Sequence, residues 1–349
     1  MNLAACGGRN LSLDGGQALS QDGKKISQNE DRLRVVTTLF PYYDFIRQTA
    51  GDLVDLELVI PAGMDSHSFE PTPADMRLIQ SADVLICNGG SMEAWLGDVL
   101  GAIDTDGMVI VTMMDYVENL EEEIVEGMED EEHGHDHDYD GNGDGHDYDH
   151  DGNGDDDDHS ADAAFAGDHD EEAELDEHIW TSPVNAIILV DVIADVLAAA
   201  DPQHAKNYEA NAAVYQQELY EIDAGFREIV ANRKRDTIVV ADKFSFRYFV
   251  EEYGLNYRAA FSGCSTDTEP SAKTIAYLID LVKEMQIPAV YYLELSSSRV
   301  ADIIQEETGA EPLLLHSCHN VTRVQFDSGI TYAQLMRQNM ENLRRGLDE

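Results

Sequence analysis

Short apolar runs rich in β-branched residues alternate with helix-forming stretches in the first third of the chain. The helix-forming stretches begin at Pro41, Pro73 and Glu93, and proline suits the first turn of a helix. Strands that alternate with helices predict βαβ units and a mostly parallel sheet. The strands predicted from the apolar runs cover 33–40, 54–60, 84–87 and 108–112.

The second half of the chain opens with helical patterns at 184–197 and 203–232. Apolar residues in the longer one recur at spacings of three and four, which predicts one long amphipathic helix. A second αβ series follows, with predicted strands at 237–240, 257–261, 289–293 and 312–315 and predicted helices at 246–252, 271–285, 298–308 and 332–347. The sequence therefore predicts an α/β protein of two lobes, each with a mostly parallel β-sheet flanked by helices, joined by one long helix.

The same pattern divides the chain into four parts. We expect a flexible tether at 1–31, an N-terminal lobe at 32–182, linking helices at 183–235 and a C-terminal lobe at 236–349. The N-terminal lobe includes an acidic, histidine-rich loop at 118–177.

This loop holds 28 of the 70 acidic residues, seven of the 12 histidines and no lysine or arginine. So much charge of one sign cannot bury a core, so a disordered, solvated loop is expected. Interleaved carboxylates and imidazoles favour divalent metal capture over a merely solubilising insert. The candidate secondary metal ligands are His133, His135, His137, His146 and His150.

Aspartates in the loop also show the oxygen-ligand spacing of a calcium loop. The pattern D-x-D-x-D-G-x-x-D-x-x-D begins at Asp136 and again at Asp147. The flanking helices of an EF-hand are absent and the two copies share Asp147, so low-complexity repetition is the preferred interpretation. Weak Ca²⁺ binding remains a testable addition.

The formal net charge of −48 limits the classes of partner. Nucleic acids and anionic membrane surfaces would repel such a chain, so nucleic acid is not expected as a partner and cations are the natural ligands. We expect a monomer.

The sequence Leu3-Ala4-Ala5-Cys6 resembles the lipobox of bacterial lipoproteins, whose cysteine is acylated after signal cleavage. A polar tether without hydrophobic pattern follows at 7–30, which favours the lipobox over a chance match. The charged and apolar segments that should precede it are missing, so we expect a shortened signal peptide. The expected location is extracytoplasmic, with a lipid anchor on Cys6 in the cell membrane.

Three histidines stand near predicted strand ends, where open α/β sheets bind ligands. His67 follows the second strand, His178 closes the acidic loop and His316 ends the last strand. Each alone is typical of a hydrogen-bonded structural residue, but together, at corresponding places in two lobes, they indicate metal ligands.

The order of these motifs resembles the metal-binding lipoproteins of bacterial zinc and manganese ABC importers. The motifs are G-x-x-x-H-S-F-E-P-T-P around His67, the acidic loop, and D-E-H-I-W-T-S-P around His178, and the resemblance covers 32–349. It implies a non-enzymatic solute-binding protein that captures a divalent metal between its lobes and delivers it to a membrane permease. By motif, His67 and His178 match the ligand histidines of the N-terminal lobe.

The C-terminal lobe departs from the family pattern. Asp242 is the nearest candidate for the usual third ligand, and His316 in H-S-C-H stands near the usual fourth. Glu294 is a further carboxylate candidate, and His319 is left either as a ligand or as a residue that lines the mouth of the site. Three histidines and one carboxylate suit Zn²⁺, whereas more carboxylates would favour Mn²⁺.

Cys264 and Cys318 follow strands of the C-terminal lobe in S-G-C-S and H-S-C-H. A disulfide that fixes the loops of the site is favoured over a pair of thiolate ligands, since the site already has histidines enough. Cys87 lies in an apolar strand and is expected to be an inert buried thiol.

Two other functions remain as alternatives. A zinc-dependent hydrolase would need three protein ligands, an open position for water and a general base, for which Glu70 is the candidate. A surface metal buffer or adhesin would act through the acidic loop alone.

Overall fold

The computed structural model describes residues 32–128, 174–263 and 270–348. Its N-terminal part is a four-stranded parallel sheet in the order β2-β1-β3-β4, flanked by helices. The strands are β1 (Leu33–Thr37), β2 (Val54–Leu58), β3 (Val84–Cys87) and β4 (Val109–Thr112), and the helices are α1 (Phe40–Ala50), α2 (Pro73–Gln80) and α3 (Ala94–Ala102).

The C-terminal part repeats this architecture with a parallel sheet in the order β6-β5-β7-β8. Its strands are β5 (Thr237–Lys243), β6 (Asn256–Phe261), β7 (Ala289–Tyr292) and β8 (Glu311–Leu314), and its helices are α6 (Arg247–Tyr253), α7 (Ala272–Met285), α8 (Arg299–Thr308), α9 (Arg323–Asp327) and α10 (Tyr332–Asp348). Two parallel sheets flanked by helices confirm the predicted fold class.

Helices α4 (Pro183–Ala200) and α5 (Ala205–Asn232) connect the two lobes. Among the described helices, α4 alone is long and apolar enough to cross a membrane by length and composition, but it packs as a core helix against α1 and α5. The predicted stripe of α5 is buried, as its helical spacing requires. Its members are Tyr208, Ala212, Tyr215, Leu219, Ile222, Phe226 and Ile229.

A buried polar network ties α10 to the N-terminal lobe. The Asp44 carboxylate of α1 accepts hydrogen bonds from the Tyr332 backbone N–H at 2.7 Å and the Tyr215 hydroxyl at 3.1 Å. The Tyr332 hydroxyl donates to the Trp180 carbonyl at 2.8 Å. Because buried polar groups are costly when unpaired, this network holds the two lobes in one arrangement.

Strand order determines where a site can form. In each sheet the chain crosses from one side of the first strand to the other, so a crevice opens at the carboxyl ends of β1 and β3 and of β5 and β7. Open parallel sheets bind ligands at this kind of switch point. The loops after β2, β5, β7 and β8 all contribute to one cavity between the lobes.

Candidate metal centre

His67 lies in the loop between β2 and α2. Its backbone N–H donates to the Asp65 carboxylate at 3.1 Å, which shapes the turn that presents the imidazole. The same loop is held from the other lobe, because the Asn320 side-chain amide donates to the carbonyls of Pro61 at 2.9 Å and Met64 at 2.7 Å. The position of His67 therefore depends on both lobes.

Two acidic neighbours position His178, which is buried. The Asp176 carboxylate accepts a hydrogen bond from the His178 backbone N–H at 2.8 Å and lies 3.2 Å from its Nδ1. The Glu177 carboxylate accepts the backbone N–H groups of Ser91 and, at 2.7 Å, Met92. A carboxylate on Nδ1 orients the ring and leaves Nε2 available for a metal, as outer-sphere carboxylates do in zinc proteins.

His319 follows β8 and reaches the cavity from the C-terminal lobe. One ring nitrogen pairs with the Ser66 hydroxyl of the His67 loop, and its backbone N–H donates to Ser317 Oγ at 3.2 Å. The Ser317 hydroxyl donates in turn to Glu294 at 2.5 Å. The His319 ring packs at 5.3 Å from the Trp180 ring, measured between centroids.

The three imidazoles converge. One nitrogen each from His67, His178 and His319 lies within 4.8 Å of the others. The ring centroids are 6.0 Å apart for His67 and His178, 5.6 Å for His67 and His319, and 5.7 Å for His178 and His319. Three such nitrogens around one point are a donor set for a transition metal.

The electrostatic environment differs among these histidines. Burial and the neighbouring His178 lower the pKa of His67 to about 4. Burial and the neighbouring His178 and His67 hold the pKa of His319 well below its usual range. Burial opposes protonation of His178 as well, but the charge and hydrogen bond of Asp176 outweigh it and raise its pKa. Two of the three nitrogen donors are therefore neutral and ready for a metal at any pH near neutrality.

The structure does not bring His316 into this cluster. Its ring is buried, with Nδ1 accepting the Cys318 backbone N–H at 3.0 Å, and its Nε2 has no partner among the described residues. Cys318 has a backbone φ of 61°, so the chain turns between the two histidines. As a result, His319 lines the cavity and His316 is not among its lining residues. The His316 Nδ1 lies instead 3.4 Å from Glu294 Oε1.

The two carboxylate candidates line the cavity, but backbone groups already use them. Asp242 accepts the backbone N–H groups of Lys243 at 2.9 Å and Leu293 at 3.3 Å. Glu294 accepts the backbone N–H and the hydroxyl of Ser317. Neither joins the cluster of converging ligand atoms in the described part of the chain.

Sequence reasoning missed Lys243, which also lines the cavity. It ends β5, where the register of pairing with β6 shifts between Val240 and Lys243. Irregular pairing at a strand end commonly re-aims a side chain towards a site. The signal in the sequence was a lysine directly after Asp242, at the carboxyl end of a predicted strand.

Several sequence predictions concern residues outside the described ranges. They are the anchor on Cys6, the calcium pattern, and the loop histidines His133, His135, His137, His146 and His150. Cys264 also lies outside them, while Cys318 is a buried free thiol, as is Cys87. The ends of the acidic loop are described and pair with each other, through a bridge between Glu121 and Leu175.

Comparison with known proteins identifies a family. The family model described as ZnuA, zinc-uptake complex component A, periplasmic, matches residues 35–346. A zinc-binding lipoprotein, AdcA, from Streptococcus pneumoniae is 30% identical over 328 residues, which cover 92% of this chain and 57% of the relative. The chain thus spans little more than half the length of that relative. The high-affinity zinc uptake system protein ZnuA of Bacillus subtilis is 31% identical over 345 residues, covering 99% of this chain and 93% of the relative.

Solved structures support the same relationship. The Zn(II)-bound ZnuA-like domain of Streptococcus pneumoniae AdcA superposes with a TM-score of 0.68 at 28% identity, covering 91% of this chain and 100% of that domain. The metal-dependent lipoprotein YcdH from Bacillus subtilis gives a TM-score of 0.69 at 27% identity, with coverage of 91% and 100%.

Proposed function

The chain belongs to the ZnuA family of zinc-uptake components, and from this premise we propose that it is an extracytoplasmic solute-binding protein that captures Zn²⁺ between its lobes. It hands the ion to the membrane permease of an ABC importer. One observation carries the proposal: His67, His178 and His319, from loops of both lobes, present nitrogens within 4.8 Å of one another in the interlobe cavity.

The geometry fits zinc after a small contraction. Zn–N bonds of about 2.0–2.1 Å in a tetrahedral site place ligand nitrogens roughly 3.3 Å apart. The nitrogens here lie within 4.8 Å, so shifts of about 1 Å bring them to bonding distance. Side-chain rotation alone supplies such shifts, with both lobes in place.

The donor type favours zinc over manganese. Imidazole nitrogen suits Zn²⁺, whereas Mn²⁺ prefers carboxylate and water oxygens. The two carboxylates that line the cavity, Asp242 and Glu294, are held by backbone N–H groups. The proposed ligand set is therefore His67, His178 and His319, and it replaces the set built on His316.

Three histidines with an open fourth position also occur in catalytic zinc sites, which keeps the hydrolase as a second candidate. Its proposed general base, Glu70, is exposed and is not among the residues that line the cavity. A transport component needs no such base. The absence of this group near the described site supports transport rather than hydrolysis.

We further propose that the protein is anchored to the membrane through a lipid on Cys6. Anchoring keeps the binding protein close to its permease and raises the local concentration for handover. The acidic loop is proposed to collect cations near the site, because its two ends meet at the bridge between Glu121 and Leu175. Asp176 and Glu177 follow directly, so the loop ends beside His178.

The experiment compares zinc content and affinity of the full chain with two variants. In one, residues 129–173 are replaced by a short glycine linker, which the paired ends permit: Glu122 N–H donates to the Glu174 carbonyl at 2.8 Å, and Asp176 N–H donates to the Leu120 carbonyl at 2.9 Å. In the other, His67→Ala is added to this deletion.

The expected result is one tightly bound zinc per deleted chain and its loss with His67→Ala. If the deleted chain binds no zinc tightly while the full chain does, the loop is the functional element and the interlobe site is refuted. If the purified protein hydrolyses an ester, phosphate or peptide, and His67→Ala abolishes this turnover, the hydrolase replaces the transport proposal.

A further inference from the structure

Lys243 is an unexpected residue for a cavity that binds a cation. Its side chain lines the same cavity as His67, His178 and His319. Among residues 32–128, 174–263 and 270–348, the Lys243 ammonium has no hydrogen-bond or ion-pair partner. A positive charge beside a divalent cation is repulsive unless an anion lies between them.

The acidic groups that line the cavity do not fill this role. Asp65 accepts the backbone N–H of His67, Asp242 accepts those of Lys243 and Leu293, and Glu294 is held by Ser317. Each of these carboxylates already accepts at least one hydrogen bond, and none of them belongs to the cluster of converging ligand atoms in the described part of the chain. The proposed zinc site thus has three neutral protein ligands within the described ranges and a fourth position to fill.

The cavity has room for an additional ligand. Its volume is about 300 Å³, whereas one water molecule takes up about 30 Å³ in the liquid. Lys243 and the three histidines line this one cavity, so the ammonium and a metal on the histidines would face the same space.

We propose that Lys243 and the open coordination position of the bound zinc form one site for a small monodentate anion, a halide or a carboxylate, which serves as the fourth ligand. This inference rests on the proposed function, because it requires zinc on the three histidines. The anion offsets the charge of the metal and of the ammonium, and both attract it in a partly dehydrated cavity. Zinc is then captured as a metal–anion pair.

The test uses the full chain loaded with one equivalent of Co²⁺, whose visible absorption reports the ligands of a tetrahedral site. The sample is prepared without halide or carboxylate and titrated separately with chloride and with acetate. The expected result is a saturable change in the cobalt bands with at least one of them. Lys243→Met is expected to weaken anion binding at least tenfold while one cobalt per chain is retained, and Lys243→Arg is expected to stay within a few-fold of the parent.

Lys234→Met serves as the matched control, since Lys234 is an exposed lysine in the turn after α5. It is expected to leave the anion titration unchanged. Cobalt bands that change with neither chloride nor acetate would overturn the inference. An anion affinity of Lys243→Met equal to that of the parent would overturn it as well.

A strong sulfur-to-cobalt charge-transfer band that disappears in Cys264→Ser would also overturn it, because a protein thiolate would then be the fourth ligand. Failure to bind one cobalt or zinc per chain would instead refute the proposed function itself. The two failures are therefore distinguishable.

Discussion

Replacing His319 with alanine tests the site where structure and sequence reasoning differ most. His319 is one of three converging histidines, and its ring is also fixed by Ser66 and by packing on Trp180. Alanine removes the nitrogen donor and leaves space for water. The change is expected to weaken zinc binding without disturbing the fold, because no backbone hydrogen bond depends on this ring among the described residues.

The size of the effect follows from the number of ligands. Zinc binding in four-ligand protein sites contributes about 10–16 kcal/mol, or roughly 2.5–4 kcal/mol for each ligand. At about 1.4 kcal/mol per factor of ten, His319→Ala should weaken zinc affinity by roughly 10²- to 10³-fold. Competition with a chelator of known zinc affinity, on protein stripped of metal, measures this change.

His316→Ala is the matched control, three residues away in the same motif. It should leave zinc affinity within a few-fold and instead lower the free energy of unfolding by about 1–3 kcal/mol, because the Cys318 N–H loses its buried acceptor. If that variant folds poorly, His316→Asn keeps an acceptor at a similar place. Loss of zinc with His316→Ala and retention with His319→Ala would refute the assignment.

Three further predictions concern the groups around the histidines. Asp176→Asn should weaken zinc binding about 10- to 100-fold, measured by the same competition, since it removes the carboxylate that orients His178. Zinc affinity should fall with decreasing pH, about tenfold per pH unit below the raised pKa of His178, because a protonated imidazole cannot bind metal. His67, with a pKa of about 4, does not contribute to this pH dependence near neutrality. An affinity independent of pH between 5 and 7 would contradict this assignment. Asp44→Asn should lower the free energy of unfolding, measured in urea, by about 1–3 kcal/mol, because the hydrogen bond that the carboxylate accepts from Tyr332 is weakened. The zinc stoichiometry of the folded protein should not change, and an unchanged urea midpoint would refute this prediction.

The periodic parts of the fold were predictable because burial leaves a regular trace. The stripe on α5 and the β-branched strands repeat at the spacing of their own secondary structure, so local pattern alone identifies them. The boundaries of the elements were predicted less accurately. The strand predicted over 33–40 ends at Thr37, and α1 begins at Phe40, one residue before its proline. Element boundaries depend on capping contacts that apolar patterning does not encode.

The site was only partly predictable for a different reason. His67 and His178 lie in motifs long enough to identify, and the structure brings them together. Whether His316 or His319 reaches the cavity depends on a turn at Cys318 with positive φ. The residues H-S-C-H do not predict this turn. Lys243 was missed because a lysine next to a proposed aspartate ligand does not by itself indicate a site residue. Only the structure shows that Lys243 lines the cavity.

The late position of α10 has a consequence for when the site forms during synthesis. This helix is the last described element, and its Asn339 side chain holds the backbone of His316 through two bonds of 2.7 Å. Tyr332 at its start reaches Asp44 and Trp180 in the earlier lobe. A growing chain therefore contains His67, His178 and His319 before it contains this helix. The contacts that fix the His316–His319 segment against the earlier lobe form only after α10 has been made, so we expect the three histidines to converge only once this helix has packed.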